Sequence, residues 1–145
     1  MKMNDNKNRG LRYNEGKPQW SLVHFDSLEP LVRVLEYGKE KYTTKDENGN
    51  IISGRDNWKK GMPLSEVLES AFRHLIRMMN GEWIDDESGL PHIGHFLANG
   101  MFASYIMKYK PEFIDIELSP EKTELSAQES SIFNDNGFEY VLKND

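Results

Sequence analysis

The sequence predicts an all-α fold, a small helical bundle, on three observations. Residues 28–42, 63–80 and 91–108 carry apolar side chains at helical spacing. Pro63, Gly81 and Pro91 punctuate the second and third of these stretches where helices start and stop. The third stretch is apolar nearly all round, the pattern of a helix buried in a core or in an oligomer interface. A chain of 145 residues suits one domain with a core of useful size. An irregular N-terminal arm and a short C-terminal extension complete the outline, with a helical domain over 1–110 and an acidic extension over 111–145.

Residues 1–8 are polar and read as a frayed start. Gly10 to Val23 has two glycines and a proline among Arg12, Tyr13, Lys17 and Trp20. Such a segment is an ordered arm, pinned by Trp20 or cradling a phosphate or base. In the first helix, Leu28, Leu31, Leu35 and Tyr42 keep helical spacing. Glu36 and Glu40, four apart, either hold a cation or belong to a solvated face. Thr43 to Gly54 is polar, with an Asn-Gly step, and reads as a loop or short hairpin. Then comes Arg55-Asp-Asn-Trp-Lys-Lys-Gly61. Its tryptophan offers a stacking surface next to cationic charge, or simply lies under the loop with its lysines in water.

The second helix has an apolar stripe of Leu64, Val67, Leu68, Ala71, Leu75 and Met78, and a polar one of Glu66, Glu69, Arg73 and Arg77. Glu69 and Arg73 are spaced for a surface ion pair. His74 falls at the apolar edge, where a histidine is ordinarily a satisfied core residue. The reversal Gly81 to Gly89 packs Glu82, Asp85, Asp86 and Glu87 into a few positions. Directly after it, His92, His95 and Asn99 line one stripe of the third helix, continued by Phe96, Phe102, Ala103 and Ile106. Burying imidazoles there costs about 1–3 kcal/mol each without partners. Carboxylates and imidazoles in one neighbourhood therefore point to a divalent cation: hard ions take the carboxylates, and imidazole admits manganese, iron, cobalt or zinc. Ser88-Gly-Leu-Pro91 reads as the start of the helix, with the serine hydroxyl as its cap.

The net charge of −6 is unevenly placed. Residues 111–145 hold nine acidic and two basic side chains, which leaves residues 1–110 at +1. That balance excludes the concentrated basic face a duplex nucleic-acid binder needs, but not a small anionic ligand. No apolar run approaches a membrane span, no secretory signal is visible, and the absence of cysteine suits a reducing compartment. These features lead to the expectation of a soluble, cytoplasmic protein. In the extension, Asn136-Gly137 precedes an alternating run, a hairpin signal.

Gly10-Leu-Arg-Tyr-Asn-Glu-Gly-Lys-Pro18, Glu36-Tyr-Gly-Lys-Glu-Lys-Tyr42, Asn57-Trp-Lys-Lys-Gly61, Arg73-His-Leu75, Gly81-Glu82 and Glu87-Ser-Gly-Leu-Pro-His-Ile-Gly-His95, followed by Asn99, occur in order. Together they resemble the tailed-phage dATP/dGTP diphosphohydrolase family over about residues 10–108. That resemblance implies hydrolysis of purine deoxynucleoside triphosphates to monophosphate and pyrophosphate. It also implies a role in shaping the phage deoxynucleotide pool, in some phages toward 2-aminoadenine DNA, inside the host cytoplasm. The layout is also similar to the MazG-type all-α pyrophosphatases, whose Glu-x-x-Glu and Glu-x-x-Asp helices hold magnesium. Glu66-x-x-Glu69 and Glu82-x-x-Asp85 match that pattern literally. Aligning helix with helix instead places His92-x-x-His95 in the second position.

The leading expectation is a divalent metal, magnesium or manganese with cobalt or zinc as alternatives, for which Glu69, Asp85, Asp86, His92 and His95 are the candidate ligands. His74, Asp86 and Glu69 are the candidate catalytic groups, with His74 as base. Lys41, Lys59 and Arg73 would hold phosphates, Trp58 or Tyr13 the base, and Asn57 and Asn99 further substrate contacts. The expected partners are a deoxynucleoside triphosphate and further copies of the chain, in a homodimer or larger assembly, with no duplex nucleic acid and no membrane. A nucleotide-sequestering protein without turnover and a structural interaction module are the competing readings.

Overall fold

The computed structural model describes residues 10–117 and the backbone of 133–134 and 137–138. It is a small all-α fold of three helices: α1 (Glu29–Tyr42), α2 (Leu64–Met79) and α3 (His92–Tyr109). Each helix end lies within one residue of the bound that periodicity predicts. Between α1 and α2 the polar stretch forms a hairpin, β1 (Thr44–Lys45) against β2 (Ile51–Ile52), with Thr44 opposite Ile52. Asp46 closes its turn by accepting from the Asn48 and Asn50 amides at 2.9 and 2.8 Å. A second antiparallel pair, β3 (Phe133–Asn134) with β4 (Gly137–Phe138), stands where the Asn-Gly signal falls. The frayed start expected over residues 1–8 lies outside the described residues. Among the described residues, no helix is long and apolar enough to cross a membrane.

The helix ends follow from local chemistry. In α1, Pro30 occupies the first turn with Glu29, while Lys39 and Lys41 fill the last, which suits the macrodipole. At the other end of α2, Gly81 takes φ +81°, a conformation only glycine reaches cheaply. Its amide bonds the Met78 carbonyl and that of Glu82 bonds Arg77, so two orphan carbonyls are satisfied. The start of α2 is capped from far along the chain. The Asp115 carboxylate accepts from the Ser65 amide at 2.8 Å and from the Ser65 hydroxyl. Ser88 does not cap α3. Its oxygen accepts from Leu90, outside the helix, and otherwise faces Asp85 and His95.

Both α1 and α2 pack chiefly on α3. At the α1–α3 crossing the backbones nearly touch: a Cβ at Gly94 would strike the Pro30 carbonyl, and Val34 is buried beside it. The α2–α3 side holds the core of Leu64, Val67, Ala103 and Ile106, with Met62, Phe102 and Phe113 against it. Phe113 and Asp115, which fall in the expected extension, thus serve the helical domain. Outside this core, α2 presents Leu68, Phe72, Ile76 and Met79 to solvent along one stripe, Met79 being 78% exposed. Ile93 and Met107 of α3 are also uncovered in the single chain.

Candidate active site between the first two helices

Because α1 and α2 lean on α3 rather than on each other, a cleft remains between them, with α3 as its floor. It encloses about 420 Å³, within the range of small-ligand sites. Tyr37 and Lys41 of α1 face Ser70, Arg73 and His74 of α2 across it. His95, Asn99 and Phe102, one side of α3, form the base, and Asn57 and Trp58 close one end.

The other end is a cluster of imidazoles and one carboxylate. The reversal before α3 is pinned by its own backbone: Asp85 donates to Leu90 and His92 donates to Trp83, each at 2.8 Å. Asp85 is thereby carried to the helix start, beside His92, which is 5% exposed. His74 reaches in from α2, its Nδ1 lying 2.8 Å from His92 Nδ1. Its ring also stacks on His95, with centroids 4.6 Å apart and planes 7° from parallel. Ligand atoms of His74, Asp85 and His92 all lie within 4.8 Å of one another.

Ser88 connects Asp85 to His95. Its oxygen is 2.8 Å from Asp85 Oδ2 and 2.7 Å from His95 Nε2. An ionised carboxylate only accepts, so the hydroxyl donates to Asp85 and His95 Nε2–H donates to the hydroxyl. His95 Nδ1 is then the nitrogen without a proton. Burial pushes His74 below its ordinary value, and the His95 and His92 rings add to the effect. Burial also lowers His95, outweighing the opposing pull of Asp85. At Asp85 burial acts upward, yet hydrogen bonds from the Ser88 hydroxyl and amide hold the carboxyl below its usual range. Neutral imidazoles beside an ionised carboxylate are the forms that bind metal. Two nitrogens and one oxygen fit manganese, iron, cobalt or zinc better than magnesium.

At the aromatic end, Trp58 stacks on Phe102 at 5.0 Å and meets the edge of Tyr105 at 4.9 Å. It is half-buried, so it both packs and lines the cavity. Cationic groups also line the cavity: Lys41, which donates to Glu87 at 2.8 Å, with Arg55 and Arg73. The Glu87 hydrogen bond raises the Lys41 ammonium above its ordinary value.

The fold therefore gathers Lys41, Asn57, Trp58, Arg73, His74, Asp85, His95 and Asn99 around one cavity, with His92 directly behind His74. It does not bring four other candidates there. Glu69 is exposed, one position before Ser70 and so turned about 100° from the cavity line. Asp86 is exposed, its neighbour Asp85 being the residue the reversal turns inward. Tyr13 is 80% exposed on the N-terminal arm. Lys59 pairs with Asp56 at 2.9 Å, outside the lining residues. Among the described residues no ion pair joins Glu69 to Arg73; Arg73 lines the cavity instead. Glu36 is engaged by Arg33 at 3.1 Å. Ser88, Arg55 and Phe102 are contributors to which sequence reasoning assigned no named role, although Arg55 opens the segment of Trp58 and Phe102 continues the stripe of His95 and Asn99. Glu87, one of the clustered carboxylates, engages Lys41.

A family model described as "dATP/dGTP diphosphohydrolase, N-terminal" matches residues 7–116. A protein of Salmonella phage PMBT28 named dATP/dGTP diphosphohydrolase is 28% identical over 123 residues. That alignment covers 85% of this chain and 38% of the phage protein, so the chain spans well under half of that relative's length. No solved structure matches. The chain belongs to the dATP/dGTP diphosphohydrolase N-terminal family.

Proposed function

We propose, on the premise of that membership, that this chain hydrolyses purine deoxynucleoside triphosphates, dATP or dGTP, to the monophosphate and pyrophosphate with a divalent cation. One observation carries the reading. A single cavity is lined by the rings of Trp58 and Phe102, by the cations Lys41, Arg55 and Arg73, and by His74 and Asp85, with His92 behind His74 completing the cluster. A nucleoside triphosphate has the same kinds of parts: a flat base and a run of negative charge.

His74, Asp85 and His92 would hold the cation. When bound, it neutralises phosphate charge and lowers the pKa of the attacking water. Lys41 and Arg73 bind the phosphate oxygens, with Lys41 exchanging its Glu87 partner for the substrate. Asn99 donates its amide to the His95 carbonyl at 2.8 Å, which leaves its own oxygen to accept from the ligand. His95, neutral and fixed through Ser88, accepts the water proton at Nδ1. In this reading His74 serves as a ligand, and the base role falls to His95. The uncovered stripe of Leu68, Phe72, Ile76 and Met79 supports a homodimer or larger assembly, which light scattering would measure. The host cytoplasm, where the deoxynucleotide pool lies, is the compartment this activity requires.

The test is a panel of the four deoxynucleoside triphosphates against Mg²⁺, Mn²⁺, Co²⁺ and Zn²⁺, with products identified. Monophosphate and pyrophosphate from dGTP or dATP are expected. Release of single phosphates would mean another phosphohydrolase. Tight calorimetric binding with the nucleotide intact after hours would mean a sequestering protein.

A further inference from the structure

Three glycines with described surroundings lie within the helices, and two are readily placed. Gly94 is where α1 and α3 nearly touch, so a side chain there meets the Pro30 carbonyl. Gly100 is exposed on α3 and is not among the cavity-lining residues. Gly38 differs from both. It sits inside α1, four positions before its last residue, and its φ is not positive. A Cβ built on it meets nothing within 4 Å, yet the residue is half-buried and lines the cavity. Neither close packing nor backbone conformation accounts for a glycine there, and glycine is the least favourable residue for a helix interior after proline. The space in front of it is the cavity itself.

We propose that Gly38 is a size-determining position of this site: its missing side chain is the room in which the sugar and base of a nucleoside triphosphate lie against α1. The proposal rests on the function read above. Gly38 itself offers no side-chain donor for phosphate, whereas Lys39 and Lys41, further along α1, line the same cavity with ammonium groups. The uncharged part of the ligand therefore belongs against Gly38, and the phosphates further along. A methyl group at 38 narrows that space, and a leucine side chain fills it.

Wild type, Gly38→Ala, Gly38→Leu and Gly100→Ala are to be compared by thermal melting, by turnover of dGTP, and by calorimetric titration with Mn²⁺ present. The titrants are the α,β-methylene analogue of dGTP and inorganic triphosphate. Both alanine variants should melt about 4 °C higher than wild type, because each removes a helical glycine. Gly100→Ala should keep its dGTP affinity. Gly38→Ala should raise KM for dGTP about tenfold with kcat within about twofold, and Gly38→Leu should weaken the analogue about 100-fold, by crowding a packed site. All four proteins should bind inorganic triphosphate alike.

Three results would each overturn the proposal: Gly38→Ala melting below wild type, a folded Gly38→Leu with wild-type affinity for the analogue, or triphosphate lost in step with dGTP. Gly38→Ala carries the test should the leucine variant not fold. Wild type that binds and turns over no nucleotide overturns the functional reading itself, and this proposal with it. Any of the first three results alongside wild-type turnover overturns this proposal alone.

Discussion

The two ends of the cavity are built on opposite plans. At the Asp85 end, polar groups from two helices and a reversal satisfy one another: His74 with His92, His95 with Ser88, Ser88 with Asp85. Among the described residues, no buried side-chain nitrogen or oxygen lacks a partner. At the Trp58 end, stacked rings hold the wall in place, Trp58 against Phe102 and the edge of Tyr105. In the proposed reaction, chemistry that develops charge would depend on the first end, and affinity for a flat ring on the second. Mutations should therefore divide between kcat and KM according to the end they touch.

The largest effect is expected at the polar end. Asp85→Asn keeps the shape but removes the charge and reverses the demand on Ser88. Pyrophosphate release should fall about 1000-fold, and stabilisation by Mn²⁺ in melting curves should disappear. An active Asp85→Asn would collapse the distinction between the ends. Next comes Trp58→Ala, for which KM should rise about tenfold with kcat nearly kept, as for loss of one stacked base. The domain should also lose about 2 kcal/mol, because Phe102 and Tyr105 lose a neighbour. Denaturant melts and steady-state kinetics check both. A smaller effect is expected at Lys41, where exposure tempers the charge: Lys41→Ala should raise KM about fivefold.

The smallest effect is one of pH, and it isolates the imidazoles. His74 and His95 are held below their ordinary value in the folded chain, so the unfolded chain binds more protons as their free value is approached. Their contribution is complete above about pH 6.5 and is lost as pH falls through the depressed folded values. Asp85, also depressed, contributes above about pH 3.9 and loses its share only below that. Metal-free protein should thus melt at lower temperature at pH 5.5 than at pH 7, and Asp85 cannot be the cause. A flat profile over that range would remove the case for buried neutral imidazoles.

The helices were legible because their chemistry is local. Periodicity, Pro63, Pro91 and Gly81 act within a turn or two, and each helix ends where they indicate. The clustering of the candidate site was legible where residues are near in sequence, as Asp85, His92 and His95 are. What the sequence hid depends on distance or rotation. His74 meets His92 from another helix, and nothing in either residue's neighbours announces it. Glu69 and Arg73 have ion-pair spacing, yet Arg73 turns to the cavity and Glu69 to water. Ser88 stands where a cap belongs, but stronger partners take its hydroxyl. Asp115 caps α2 through Ser65, fifty residues earlier, a bond no local pattern encodes.

The cleft between α1 and α2 has a mechanical consequence. Of the three possible seams in a three-rod bundle, two are filled by the protein's own side chains and the third is left open. A nucleotide lodged there would act as mortar, cementing the two outer rods through contacts the polypeptide does not supply. Amide protons in the second half of α1 should then exchange with solvent markedly more slowly once the cleft is occupied, while those of Ala103 and Ile106, sealed in the closed seam, should barely register the guest.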